Sequence, residues 1–205
     1  MSAPIPTTAI AADLADLIVA GCGGNSAAVD FAEWRDFIAG EGLDLGTLQA
    51  CAGGLSLARC TFTPAPRRFC LDPTGEVSAI IEVLEVAAGE RWLIDLVAWP
   101  IDRPSDFATA IGHADVLGGD QLTNPSSFFG DRPLQVHRTP RAWLRTGCRG
   151  VVLLDERRGG IRLADALGRL LAEDLDHARA LHRAMGRAFP TRRIRVPASP
   201  IGSAA

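Results

Sequence analysis

The sequence predicts an α+β fold: N-terminal helices, an antiparallel β-meander, a small βαβ unit and a long C-terminal helix packed on the sheet. Three observations lead there. Apolar stripes at helical spacing occupy both ends of the chain, while residues 55–99 switch to strand-like runs separated by turn residues. Between these regions, two short apolar strands flank a capped helical segment.

Ile10, Leu14, Leu17 and Ile18 form one face of a helix over 9–20, with Asp13 and Asp16 outside it and Gly21 as a stop. Val29, Trp34, Phe37 and Ile38 do the same over 26–39, ending at Gly40. A shorter helix over 45–52 stops at Gly53-Gly54. Residues 55–62, 67–71, 76–86 and 91–99 read as strands, turned at 72–75 and 87–90 and closed by Pro100. Residues 105–112 suggest a brief helix. The segment from Gly118 to Pro133 reads as a long ordered loop that buries Leu122, Phe128 and Phe129. Strand 134–137, a helix capped by Thr139 and opened by Pro140, and strand 151–154 make the βαβ unit. After a turn at Gly159-Gly160, the stripe Leu163, Leu167, Leu170, Leu171, Leu175, Leu181 and Met185 predicts one helix over 163–188. The expected organisation is one domain over 1–189 and a flexible basic Pro/Ser/Arg tail over 190–205.

The 205 residues are 47% hydrophobic and 22% charged, the balance of a globular domain able to build its own core. No apolar run is long enough to span a bilayer. All 21 basic residues are Arg, and Tyr is absent. The missing Lys excludes a GxxxxGK phosphate loop, a Schiff-base lysine and an SxxK acylation centre, and the missing Tyr excludes a tyrosine nucleophile. Leu153-Leu154-Asp155-Glu156 imitates the metal-holding strand end of a nucleotide hydrolase, but its phosphate-binding half is absent. A bacterial, GC-rich coding habit also favours Arg over Lys.

Cys22, Cys51, Cys60, Cys70 and Cys148 follow no zinc spacing, so reduced, buried thiols in a cytoplasmic protein are expected, with no cofactor and no metal. Val19-Ala20-Gly21-Cys22 resembles a lipoprotein cleavage box, yet no cation precedes Arg35 and two aspartates break the apolar run. Phe37, Gly42, Leu43, Leu48 and Cys51 partly match the buried positions of a helix-turn-helix, but 44–52 contains no Arg to meet a phosphate, so this segment reads as scaffold.

The net charge of −3 hides a division along the chain. Residues 1–130 carry 6 Arg against 17 acids, a charge of −11, whereas 131–205 carry 15 Arg against 7 acids, a charge of +8. Beyond Asp176 only Arg179, Arg183, Arg187, Arg192, Arg193 and Arg195 are charged, apart from two histidines. Either the halves neutralise each other in the fold, or the basic part meets an anionic partner.

Three constellations carry candidate chemistry. With its turn at Ala88-Gly89, the 76–99 hairpin sets Glu82 opposite Asp95, a carboxylate pair needing a shared proton, a cation, or Arg59, Arg67 or Arg68 on the adjoining strand. The same register places Glu85, Val83, Ile81, Ala79 and their partners on the core face. If strands 134–137 and 151–154 are parallel, Arg138, Thr139, Arg141, Arg145, Arg157 and Arg158 gather at one sheet edge as an anion site. His113, Asp115, His137 and Asp155 are the candidate catalytic groups of a small hydrolase or transferase acting on an anionic metabolite. His177 and His182, five apart on a helix, do not share a face and so do not form a metal pair.

The expected function is a cytoplasmic binding or accessory protein docking nucleic acid or a nucleoprotein through its Arg-rich C-terminal part. The alternatives are the small enzyme just described and a protein–protein or self-association module.

Overall fold

The computed structural model describes residues 29–43, 46, 54–87 and 90–188. The helix expected over 9–20, that over 45–52 apart from Gly46, the turn residues Ala88 and Gly89, and the tail over 190–205 lie outside the described residues.

The fold is mixed α+β. The first described element, α1 (Phe31–Glu41), begins where the Asp30 carboxylate accepts the Ala32 and Glu33 amides and ends at Gly42 in the left-handed region. It buries Phe37 and Ile38.

Strands β1 (Leu55–Pro64), β2 (Arg67–Leu71), β3 (Glu76–Ala87) and β4 (Glu90–Pro100) follow the sequence pattern closely. They do not form a simple meander. Strand β1 pairs with both β2 and β3, and β5 (Ala108–Thr109) bridges β2 and β4, closing a barrel of order β1-β2-β5-β4-β3. The helix expected over 105–112 is therefore replaced by a strand and a bend. All five strands fill the barrel, β1, β4 and β5 with the small residues Ala58, Cys60, Ala98 and Ala108, and β2 and β3 with Phe69 and Ile80. Burial there pushes the Cys60 thiol up to about 12, so it is an inert filler. Cys148 is buried as expected, whereas Cys70 is exposed.

A second sheet follows, in order β6-β8-β7-β9: β6 (Val116–Leu117), β8 (Val151–Leu153), β7 (Leu134–His137) and β9 (Leu170–Leu171). The βαβ unit forms as the caps dictate. Strands β7 and β8 are parallel, and between them α2 (Pro140–Arg145) starts where the Thr139 hydroxyl accepts the Ala142 amide. Adjacent residues of β6 and β8 face opposite ways. Leu117 and Val152 join the barrel's outer face, α1 and α2 in one core, while Val116 and Val151 join helices α3 (Glu156–Ala164) and α4 (Leu175–Ala188) in another. The second sheet is thus sandwiched between the barrel and the last two helices. No helix among the described residues is long and apolar enough to cross a membrane.

The single helix expected over 163–188 is two helices. The chain leaves α3 at Asp165, lays Leu170 and Leu171 beside β7, and restarts where Asp174 accepts the His177 and Ala178 amides. Leu167, Leu171 and Leu175, central to the predicted stripe, are consequently 48–66% exposed. Gly159-Gly160, expected as a turn, lies inside α3. A β-carbon on Gly160 would sit 2.5 Å from the Ala184 carbonyl oxygen, and one on Gly159 would sit 2.7 Å from that of Asp115. These glycines let α3 press against its neighbours. In the 118–133 segment, two short 3-10 turns bury Leu122, but Phe129 is 82% exposed rather than buried.

The carboxylate pair is corrected as well. Near its turn the β3–β4 hairpin has the expected register, Glu85 with Trp92 and Leu84 with Leu93. A bulge between Val83 and Leu84 then shifts the pairing by one, so Glu82 faces Leu96 and Asp95 faces Val83. Arg59 and Arg68 donate to the Gly75 and Arg67 carbonyls, and neither they nor Arg67 compensates Asp95.

Asp95 is fully buried and meets only donors. Its Oδ1 accepts the amides of Leu96 (2.9 Å), Ala110 (3.1 Å) and Ile111 (3.1 Å), and its Oδ2 those of His113 (2.7 Å) and Ala114 (3.0 Å). A concave nest of backbone N–H groups compensates this buried charge without a cation. Asp95→Asn turns an amine toward two of these donors and is expected to destabilise the fold by about 3 kcal/mol. Glu82→Gln, altering a half-buried group without such partners, changes stability by about 0.5 kcal/mol or less. Urea denaturation of both variants checks this contrast. Gly160→Ala, which would stabilise an open helix, is expected to cost about 2 kcal/mol here, read as a lowered Tm.

Candidate anion-binding cleft

The basic C-terminal half is largely neutralised from within. Arg138 forks onto Asp174 at 2.6 and 2.8 Å, and its backbone amide donates to Glu173. Arg141 and Arg145 both grip Glu41 at the end of α1, with Nε distances of 2.9 and 2.8 Å, tying the acidic half to the basic one. Arg187 pairs with Glu156 at 2.7 Å. Arg162 binds Asp115 at 3.1 Å and lies 3.6 Å from Glu85 at the barrel hairpin. Arg157 and Arg183 are exposed and have no acid partner among the described residues. Arg192, Arg193 and Arg195 lie outside the described residues.

The parallel strands do bring the expected residues to one sheet edge, but the edge is not an anion site built from Arg138, Arg141 and Arg145. Each of those side chains already has a carboxylate. Thr139 is spent as the cap of α2, which has six residues.

The four candidate catalytic residues are likewise each engaged elsewhere. His137 is buried, with Nε2 2.8 Å from the Arg149 carbonyl oxygen and Nδ1 3.7 Å from Glu173. As the carbonyl is an acceptor, Nε2 carries the proton and the ring acts as a strut. Asp115 holds Arg162, while Asp155 caps α3 by accepting the Arg158 amide at 2.7 Å. The β8 strand separates β6, which Asp115 precedes, from β7, which His137 ends. His113 contributes its backbone, its amide to Asp95 and its carbonyl to Arg158. Among the described residues no three His, Cys, Asp or Glu side chains gather as metal ligands.

A different site is built where the barrel meets the second sheet. A cleft of about 360 Å³ lies between the β2–β5 seam and the start of α3. Arg67, Arg68 and Arg158 line it with Asp155 and Glu156. The Arg68 guanidinium donates to the Arg67 carbonyl at 2.9 Å and to the Thr109 hydroxyl at 3.2 Å. It lies over Gly112, where a β-carbon would be 1.8 Å from its Nη2. From the other side, Arg158 Nη2 donates to the Gly112 carbonyl at 2.6 Å. Gly112 has a φ of 78°, so this position demands glycine both for its backbone and for the guanidinium packed on it. The Arg67 guanidinium lies over the Phe107 ring, 6.0 Å from its centroid, at the outer reach of a cation–π contact.

Charge accounting distinguishes this cleft from the sheet edge. Glu156 is paired with Arg187, and Asp155 is 3.6 Å from Arg158 while capping its helix. Arg67 and Arg68 have no carboxylate partner among the described residues. Two guanidinium groups without a carboxylate partner in one concave site are a local excess of positive charge, with forked donors suited to phosphate or carboxylate. Composition could not reveal this: Arg67 and Arg68 belong to the acidic half of the chain, and the only local signal was the adjacent Arg pair on a strand.

No protein-family model matches the chain, and comparison with curated proteins and with solved structures finds no similar protein.

The internal pairs fix the response to acid. Burial alone would push the Glu41 carboxyl up, but hydrogen bonds and charge from Arg141 and Arg145 outweigh it and hold the group below its ordinary 4.5. Its contribution is present above pH 4.5 and is lost as pH falls through the depressed folded value. Burial, helped by Arg138, also holds the His177 ring below its ordinary 6.5, so protonating it opposes folding as pH drops beneath that value. Stability is therefore expected to decline in two stages on acidification, the first below pH 6.5 and the second below 4.5. Glu41→Gln is expected to cost about 2 kcal/mol at pH 7 and to shrink the second stage, to which Asp72 and Asp174 also contribute because hydrogen bonds hold their carboxyls below the ordinary 3.8, as followed by denaturant midpoints across pH.

Proposed function

We propose that this chain is a binding or accessory protein that docks an anionic partner, with nucleic acid or a nucleoprotein as the partner class. The point of engagement is the cleft between the barrel and the second sheet. The observation that carries this reading is the convergence of Arg68 and Arg158 on Gly112, beside Arg67, where Arg67 and Arg68 lack carboxylates. Arg138, Arg141, Arg145 and Arg187 are matched with acids, whereas the unmatched Arg67 and Arg68 share one cleft, where a guest anion gains most. Exposed Arg157 on α3, Arg183 on α4, and the Arg192, Arg193 and Arg195 run supply further phosphate contacts that add affinity without sequence choice.

The test is binding to short nucleic acids across salt concentrations, read by fluorescence anisotropy. The two or three phosphate contacts of the cleft alone give a log–log salt slope of about −2, or roughly a tenfold loss between 50 and 200 mM salt, and each further contact steepens it. The double variant Arg68→Gln/Arg158→Gln is expected to lose at least about tenfold in affinity. Arg141→Gln lowers stability and leaves affinity unchanged. Salt-independent binding, or undiminished binding by the double variant, refutes the proposal.

A further inference from the structure

The cleft does not end at Arg67. On the other side of that residue lies a second hollow of about 370 Å³, lined by Phe62, Pro64, Arg103, Asp106 and the opposite flank of Phe107. Both hollows are lined by Arg67, Phe107 and Ala108, so they adjoin as two halves of one trough with Arg67 and Phe107 between them. Their characters differ. On the Gly112 side, Arg68 and Arg158 present guanidinium donors. On the other side, Arg103 is neutralised by Glu76 at 2.6 Å and by Asp106 at 3.4 Å, leaving a hollow without excess charge and with an aromatic wall. Phe107 is 9% exposed, so its ring mainly supports the exposed Arg67 guanidinium from behind. A guanidinium plane backed by an aromatic ring is a stacking platform for a planar heterocycle.

From this juxtaposition, we propose that the trough binds one nucleotide unit, with its phosphate on Arg68 and Arg158 and its base stacked on Arg67. This rests on the anionic-partner reading above and makes it specific. An anion alone needs the charged half of the trough, whereas a nucleotide uses the charged half and the divider together. Each hollow is within the size range of small-ligand pockets, so a base and a sugar phosphate fit on the two sides of the divider. The same chemistry comes from a free mononucleotide or from one residue of a single strand. A duplex hides its base faces and satisfies only the phosphate half.

The experiment is isothermal titration of the full chain at low salt with four probes: AMP, inorganic phosphate, a single-stranded oligonucleotide and the same sequence as a duplex. Each is repeated with Arg67→Lys, which keeps the charge and removes the plane, after matching its melting curve to that of the parent. AMP is expected to bind at least about tenfold more tightly than phosphate, the difference supplied by stacking. Arg67→Lys is expected to lose about that factor for AMP and distinctly less for phosphate, which Arg68 and Arg158 still hold. A free nucleotide as the source shows AMP and the single strand binding alike; a strand as the source shows the single strand binding more tightly than AMP. Either outcome supports the nucleotide unit. Phosphate binding as tightly as AMP, the duplex matching the single strand, or Arg67→Lys leaving AMP unaffected overturns this inference while the anionic-partner reading stands. Failure of all four probes to bind overturns both.

Discussion

A buried carboxylate surrounded by nothing but backbone amides organises the centre of this molecule. Asp95 sits on β4 with five N–H groups around it, four of them from residues 110–114. Burying a charge costs several kcal/mol, and only well-aimed donors offset that cost. The segment after β5 is therefore obliged to fold inward around the carboxylate. Two results follow. The chain is delivered from the barrel to β6, and Gly112 is held at the top of the bend, where Arg68 and Arg158 reach it. The bulge between Val83 and Leu84 belongs to the same arrangement, since without it Asp95 would face Glu82.

Charge is handled at two scales. Between the halves of the chain, Glu41 with Arg141 and Arg145, and Asp115 with Arg162, make the acidic and basic segments complementary within the fold. A chain whose composition divides into −11 and +8 thus becomes largely balanced inside. What the pairing leaves over includes one adjacent pair of arginines in a cleft. Arg67 and Arg68, from the acidic half, carry the unmatched charge at the cleft, while the basic sheet edge is spent on internal contacts. Net charge by segment predicts long-range attraction; the site itself is set by which arginines lack a partner.

Much of the scaffold was legible in the sequence because its signals are local. The strand limits of β1–β4, the Thr139-Pro140 start of α2 and the parallel β7–β8 pair each follow from turn and cap chemistry within a few residues. The errors arise where a distant contact decides. A single bulge moved Asp95 away from Glu82, and no periodicity reveals a bulge. Gly159 and Gly160 look like turn residues, yet they are small because the Asp115 and Ala184 carbonyls leave no room for a β-carbon. Leu170 and Leu171 match a helical stripe and a strand equally well, and pairing with β7 decides for the strand. The cleft was the least visible part, because it joins residues 67–68, 112 and 158 across two layers.

The central claim is that the Asp95 carboxylate holds residues 110–114 in place and so shapes the cleft. His113 and Ala114 precede β6 and donate their amides to Asp95 Oδ2. Amide hydrogen exchange by NMR tests this most directly, comparing the parent chain with Asp95→Asn under conditions where both are folded. The account predicts strong protection of the His113 and Ala114 amides in the parent and its selective loss in the variant, with the β3–β4 ladder still protected. Unchanged protection of those two amides in Asp95→Asn would contradict it.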